Sequence, residues 1–563
     1  MRNLRQGAWS VGRPRNQTRP ERSVFENLLA TAERIPERPA VWFYGAILTY
    51  GELLEQVRRL SGFLHRECGI RTDDRVALCM QNSPQYIIGY YAALAANAVV
   101  VPASPMSRSP ELMHQLRDSD ARAILYGEEL GGMVEAATRG RGELALISVR
   151  YGDYAAHDSG YELPAELFRD ATASTDSRWD EALSVAGSPP RHDRGPDSWC
   201  AIPYSSGTTG RPKGCLHTHA SVNAVVNAYP GWVGMREGSR VLATLPLCHV
   251  TGMQNSMNAP LLVGATIYLV SRWNAELAAR IIERERIEHW RSITTMMIDF
   301  LSIPGIEKRD FSSLKAIGGG GAQMPREVAA KMADLIGLDY VEAYGLTETM
   351  AATHINPPAT PKAQCMGIPI HGVDSRVVDP ETLEELGPNR TGEIVIAAPQ
   401  VFKGYWRRPE ETEAAFLEIA GKRFLRTGDI GRRDDEGYFF FVERLKRMIS
   451  VGGLKVWPAE VEAVLHGHPC IAEACVVADP DPRTGEAVRA VVVMRDDAEA
   501  VTPQELKAWC REKMATYKAP KRFEFRKNLP RTAAGKVLWK ELMSQEFRSR
   551  DERRTLTQVR APR

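Results

Sequence analysis

The sequence predicts an α/β protein: a large N-terminal domain of parallel-type sheets with helices on both faces and a small β-rich subdomain, then a smaller α+β C-terminal domain. Three observations lead there. At 563 residues the chain is too long for one hydrophobic core. Short apolar runs alternate with helical patterns over much of its length, as they do when crossover helices cover a parallel sheet. From about residue 365 the texture changes to short strands and glycine turns, such as Gly392-Glu393-Ile394-Val395-Ile396. The expected divisions are a disordered basic arm over 1–22, a main domain over 23–443, a C-terminal domain over 444–543 and a flexible tail over 544–563.

In chain order, Thr49-Tyr50-Gly51-Glu52 forms a capping box, and Leu53, Val57, Leu60 and Leu64 mark one helical face behind it. Val76–Met80 reads as a buried strand. The uncharged run from Tyr86 to Ala103 falls short of the ~20 residues that cross a bilayer. A helix ending near Asn97, then the strand Ala98–Val101, accounts for it. Ser109-Pro110 opens another helix and Ala123–Tyr126 follows as a strand. The alternation resumes with Val241–Thr244, Ala265–Leu269 and a helix over Ala275–Arg286. Beyond Arg444 come a helix at Pro458–Leu465, strands near Ala474–Ala478 and Val488–Met494, and a helix over Pro503–Met514.

Composition excludes several classes. A formal net charge of +2 makes no case for a nucleic-acid partner. The first 22 residues carry six arginines but no apolar core, so they are not a secretory signal. Nine cysteines without a C-x-x-C pair read as reduced thiols of a cytoplasmic chain, with at most peripheral membrane contact. His217-x-His219 and His466-x-His468 lack the further ligands of a zinc site. The sequence does not specify an oligomeric state.

One stretch carries chemistry on its face: Tyr204-Ser205-Ser206-Gly207-Thr208-Thr209-Gly210-Arg211-Pro212-Lys213-Gly214. Glycines turn backbone N–H groups toward a ligand, hydroxyls add rotatable donors and Lys213 adds a point charge, a combination suited to polyphosphate. It is not a P-loop: Pro212 stands where the second glycine must precede the lysine, and Gly214 replaces the metal-binding hydroxyl.

This stretch resembles the phosphate loop of the adenylate-forming superfamily of acyl-CoA synthetases, aryl-CoA ligases, luciferases and peptide-synthetase adenylation domains. Further motifs occur in that family's order. Leu245-Pro246-Leu247-Cys248-His249 is similar to the segment flanking the acyl pocket. Gly318–Gly321 with Ala322 and Gln323 is similar to the glycine turn beside adenine. Glu342-Ala343-Tyr344-Gly345-Leu346-Thr347-Glu348-Thr349 matches the central motif and Arg426-Thr427-Gly428-Asp429 the ribose motif. Glu443-Arg444-Leu445-Lys446-Arg447 matches the hinge, and Val451-Gly452-Gly453 the segment after the hinge. Leu529–Lys536 matches the C-terminal lysine motif. The resemblance spans about residues 24 to 542 and points most toward bacterial medium- and long-chain fatty acyl-CoA ligases.

The resemblance implies ATP-dependent activation of a carboxylic acid to acyl-AMP with release of pyrophosphate, then transfer to the thiol of CoA. It implies catalytic roles for Lys536, Thr347, Glu348 and His249, with Mg²⁺ on Glu348. Ser205, Ser206, Gly207, Thr208, Thr209, Gly210 and Lys213 would hold the β- and γ-phosphates. Gly320, Gly321, Ala322, Gln323, Glu342, Ala343, Tyr344 and Gly345 would bind the nucleotide around adenine, Thr347 would hold the α-phosphate, and Asp429 the ribose. Arg444, Lys446, Gly452 and Gly453 would serve the hinge and the CoA arm of a mobile C-terminal domain. No Asp or Glu occurs from Leu245 to Ala275, so an α-ammonium would be buried unpaired and amino acids are poor substrates. His249–Met253 and the Met296-Met297 pair suggest an apolar, adaptable pocket for a fatty acid. The alternatives are an aryl acid, or a carrier protein in place of CoA; a non-catalytic nucleotide-binding protein is disfavoured by the presence of Glu348 and Lys536.

Overall fold

A computed structural model describes residues 21–156, 158–168, 177–184, 189–205, 212–452, 454–495, 501–531 and 537–543. Ser206, Gly207, Thr208, Thr209, Gly210, Gly453 and Lys536, the side chain of Lys446 and both expected terminal segments beyond these limits lie outside the described residues. The chain divides into two compact units, one of residues 1–374 with 397–413 and the other of 375–396 with 414–563.

The first unit contains two large sheets, both parallel at their centres. One runs in the order Ile368–Pro369, Ala351–Ile355, Val341–Leu346, Ala316–Gly320, His289–Ser292, Arg240–Ala243, Thr266–Leu269, Pro39–Phe43, Ala46–Thr49. Its six central strands pair in parallel and its edges antiparallel. The other carries Trp199–Ala201, Val99–Ala103, Arg75–Cys79, Ala121–Gly127 and Ala145–Val149 in parallel. Both match the expectation that alternation means a parallel sheet.

Local signals act where they were read. Thr49 Oγ1 accepts from the Glu52 N–H at 3.2 Å and Glu52 accepts from the Thr49 N–H at 2.8 Å, starting the helix Tyr50–Arg66. That helix buries Leu53, Val57, Leu60 and Leu64 completely. Ser83 caps Pro84–Ala95, a helix buried on every side, and Asn97 then takes φ +63° as the chain turns into Val99–Ala103. Burial on all faces explains why that helix reads like a membrane segment although it is too short to be one. No helix among the described residues is long and apolar enough to cross a membrane.

The second unit holds an antiparallel sheet of Asp374–Val378, Gly392–Ala397, Lys422–Arg433, Phe416–Ile419 and Phe439–Arg444. A second sheet centres on the long hairpin Ile471–Asp481 and Gly485–Met494, with helices Pro458–His466 and Pro503–Lys513. Its core includes Ile449, Val456, Val461, Leu465, Val476, Val491 and Leu506. Glu443 ties the two parts together: its carboxylate accepts from the Ala459 N–H at 3.1 Å and pairs with Arg447 at 3.0 Å. The small β-rich region therefore groups with the residues after Arg444 within this unit.

Candidate functional site

In the first unit the glycine- and hydroxyl-rich loop hangs from a two-residue ladder. Ser205 pairs with Lys213 and Tyr204 with Gly214. A Cβ on Gly214 would lie 2.5 Å from the Ile202 side chain, so glycine closes the base of the loop. Lys213 pairs with Glu411 and lies 4.7 Å from the centre of the Tyr405 ring. Tyr405 in turn donates its hydroxyl to Glu348 at 2.9 Å. Burial and the neighbouring Glu348 carboxylate push the Tyr405 phenol far up, so it remains a donor at any working pH. A chain of contacts, Glu411, Lys213, Tyr405, Glu348, thus links the phosphate loop to the expected metal ligand.

The strand Val341–Leu346 ends in a single tight turn, Thr347–Thr349. Thr349 Oγ1 accepts from the Leu346 N–H at 2.9 Å, and the Phe402 N–H donates to the Glu348 carbonyl at 2.8 Å. His217 Nε2 donates to the Thr347 carbonyl at 2.9 Å. Burial pulls the His217 imidazole down to about 4, so it is neutral and fixed in one tautomer. Met350 and Ala351 follow at φ +48° and +92°, left-handed backbone without glycine. Such strain persists where the surroundings over-determine it, as they do beside Thr347 and Glu348.

Beside this turn the parallel register sets Gly318, Gly319 and Gly320 against Val341, Glu342 and Ala343. A Cβ on Gly320 would come 2.3 Å from the Ala343 carbonyl, and Gly321 turns away at φ +90°. Ala322 and Gln323 follow on the surface, while the Tyr344 ring meets His354 edge-on at 5.6 Å. Gly345 is obligatory, because a Cβ there would lie 1.8 Å from the Ala351 carbonyl. Glu342 is buried, which raises its carboxyl to about 7 against the opposing backbone N–H bonds of Met324 and Gln364.

His249 precedes the short turn Val250–Gly252. Its residue surface is exposed, yet protein lies close enough to the ring that lost hydration lowers its pKa. The next six residues, Met253–Asn258, form a π-helix, a widened turn common at functional sites. Polar side chains follow directly on the segment His249–Met253 that the sequence suggests for an apolar pocket. Gln254, Asn255, Ser256 and Asn258 are all buried, and Asn258 bonds Tyr91 at 2.8 Å and Gln254 at 3.0 Å. Met297 is plain core, and Met296 Sδ lies 3.7 Å from Thr244 Oγ1.

In the second unit, Asp429 and Arg444 are register partners on adjacent strands, and Arg444 Nε meets the buried Asp429 carboxylate at 2.6 Å. Thr427 Oγ1 donates to the Ile394 carbonyl at 2.6 Å and accepts from the Asp429 N–H at 3.0 Å. Glu393 pairs with Arg426 at 2.6 Å and accepts from the Gly428 N–H at 3.1 Å. Lys446 lies in the turn Leu445–Arg447, whose Arg447 is held between Glu443 and Glu462. Gly452 takes φ +59° and donates to the Thr484 carbonyl at 3.0 Å.

Against known proteins, the AMP-binding enzyme family matches residues 28–406, and the AMP-binding enzyme C-terminal domain matches residues 460–536. The chain belongs to the AMP-binding enzyme family. It is 34% identical over 546 residues to a long-chain-fatty-acid–CoA ligase of Bacillus subtilis, covering 94% of this chain and 95% of that protein. It is also 34% identical to a feruloyl-CoA synthase of an Amycolatopsis species, covering 96% and 98%. Among solved structures, a fatty acyl CoA synthetase of Mycobacterium tuberculosis aligns with TM-score 0.74 and 28% identity over 94% of this chain and 99% of that one. The chain is thus an AMP-binding enzyme of the acid–thiol ligase class, for which ATP, Mg²⁺ and CoA are the expected groups.

For an AMP-binding enzyme the residue set fits these groups. No cluster of three or more His, Cys, Asp or Glu among the described residues forms a metal cage. A single carboxylate such as Glu348 suits Mg²⁺ carried on phosphate oxygens. Tyr405, Glu411 and His217 are supporting residues that sequence reasoning missed. Tyr405 and Glu411 stand nearly 200 residues beyond Lys213 without a local pattern, and His217 was considered only as half of a metal pair.

Proposed function

We propose that this AMP-binding enzyme is an acyl-CoA synthetase acting on a fatty acid. The observation that carries the reading is the anchored pair Lys213 and Glu348, joined through Tyr405 at the base of the phosphate loop. A substrate carboxylate oxygen attacks the α-phosphorus of ATP, the bond to the bridging oxygen of the β-phosphate breaks, and pyrophosphate leaves. Two anions meet in that step, so fixed cations and donors lower its barrier. Ser205 and Lys213 hold the leaving phosphates, Thr347 donates to the α-phosphate, and Lys536 neutralises charge on the reacting oxygens. Mg²⁺, when bound, supplies charge neutralisation at phosphate oxygens. Tyr344 packs on adenine, and Asp429, oriented by Arg444, accepts from the ribose hydroxyls. In the second step the CoA sulfur attacks the acyl carbon, the bond to AMP oxygen breaks, and AMP leaves. Arg444, Lys446, Gly452 and Gly453 serve that step.

The limits 23–443 and 444–543 and a cytoplasmic location belong to the same proposal; all nine cysteines being free supports the location. An aryl acid is the second reading, supported by the 34% identity to a feruloyl-CoA synthase. The test is pyrophosphate release across fatty and aryl acids, with and without CoA, in wild type and Lys536→Ala. The variant is expected to lose adenylate formation by about 10²-fold or more while still forming thioester from supplied acyl-AMP. Equal loss in both steps would sink the division of roles, and phosphate release without pyrophosphate would refute the ligase reading.

A further inference from the structure

Arginine is almost never buried without an acidic partner, because an unpaired guanidinium in the interior costs far more than it contributes. Arg291, in the strand His289–Ser292, is 3% exposed, and its Nε and Nη2 have no hydrogen-bond partner. No carboxylate among the described residues pairs with it. The guanidinium lies 5.1 Å from the centre of the ring of Tyr229, a buried tyrosine whose phenol burial raises and Arg291 partly lowers. Room for this group is built in. Gly318 is the register partner of Arg291, and a Cβ there would lie 2.5 Å from Arg291 Nη1. His289, two residues back, offers no compensating negative charge: burial first and the Arg291 cation second lower it to about 4.

The location gives the cluster meaning. Ligands of parallel α/β sheets bind beyond the carboxyl ends of the strands. Arg291 is the penultimate residue of its strand, and its carbonyl accepts from Thr244 Oγ1 at 3.3 Å, just before the Leu245–His249 segment leaves the sheet. Gly318 lies two residues before Gly320, about 7 Å along the strand at ~3.3 Å per residue. The π-helix packs on the helix His219–Val233 that carries Tyr229. It adds Gln254 Nε2, Asn255 Oδ1 and Ser256 Oγ, all buried and without partners. Near the carboxyl end of this strand, then, stand a cation and several buried polar atoms that a hydrocarbon chain cannot satisfy.

We infer that the acid activated here carries a second carboxylate, which Arg291 binds at the far end of the acyl site. This rests on the ligase reading and names its substrate class: a dicarboxylic acid, aliphatic or ring-bearing. The Nε and Nη2 edge is the one with which a guanidinium grips a carboxylate through two parallel bonds.

The test uses the full-length enzyme and CoA-dependent pyrophosphate release with chain-matched pairs: hexanoate and adipate, octanoate and suberate, benzoate and terephthalate. At least one dicarboxylate is expected to exceed its matched monocarboxylate in kcat/KM by about 30-fold or more, as for removal of a buried charge partner. Arg291→Met should abolish that ratio, and Arg291→Lys should keep part of it. The preferred dicarboxylate should raise the melting temperature of wild type and not of Arg291→Met. Monocarboxylates used as well as their partners overturn the inference and leave the ligase reading standing, a result that needs no variant to fold. Release with no acid at all overturns both.

Discussion

Around Glu348 the chemistry-bearing side chains are held by other side chains: Tyr405 donates to its carboxylate, Lys213 pairs with Glu411, and His217 grips the Thr347 carbonyl. Around Arg291, on the same sheet, the opposite holds, with Arg291, Asn255 and Ser256 all carrying buried polar atoms without partners. The difference separates two tasks. Groups that stabilise a transition state work best when fixed beforehand, since no reorganisation is then left for the reaction. Groups that select a substrate discriminate most strongly when an incorrect ligand leaves them unpaired.

The sharpest way to break this contrast is Glu348→Gln, expected to lower kcat for adenylation about 10²–10³-fold, read as pyrophosphate release. A small effect would remove Glu348 from the anchored set. Next in size is the acid response of the buried imidazoles. His217, His219, His289 and His354 have pKa values lowered to about 4, 3, 4 and 3. Unfolded histidine takes up its proton near 6.5, so the unfolded chain binds more protons below that pH. The stability these groups contribute is complete above 6.5 and is lost as pH falls, by about 1 kcal/mol per histidine per unit. Glu342, raised to about 7, acts in the reverse sense: its contribution is complete below 4.5 and lost as pH rises toward 7. Urea titrations at pH 7.5 and 5.5 should show a net fall in stability at the lower pH, steeper in Glu342→Gln.

Tyr405→Phe and His217→Ala each remove one fixed bond from the nucleotide side. Each should lower kcat for adenylation about tenfold, in keeping with about 1–1.5 kcal/mol per hydrogen bond. His217 titrates near 4, so its removal should leave the pH profile between 6 and 8 unchanged in shape. The smallest expected effect is Ala351→Gly. Relief of a left-handed alanine at φ +92° should offset the added unfolded-state freedom and raise stability by up to about 1 kcal/mol, seen as a higher melting temperature.

The sequence by itself determined the features that depend on neighbours along the chain. The Thr49 capping box, the turn at Asn97 and the parallel alternation were legible because periodicity and capping act over a few residues. The order of motifs around Lys213, Glu348 and Asp429 was legible for the same reason, each motif being a short contiguous run. Tertiary structure alone decided which distant groups meet. Tyr405 reaches Glu348 across 57 positions, and Arg444 finds Asp429 only through strand register. It also decided that Gln254–Ser256 and Arg291 are buried, which no local pattern announces. Burial depends on what the rest of the chain packs over a residue, and a buried polar group takes its meaning from the partners that packing leaves within reach.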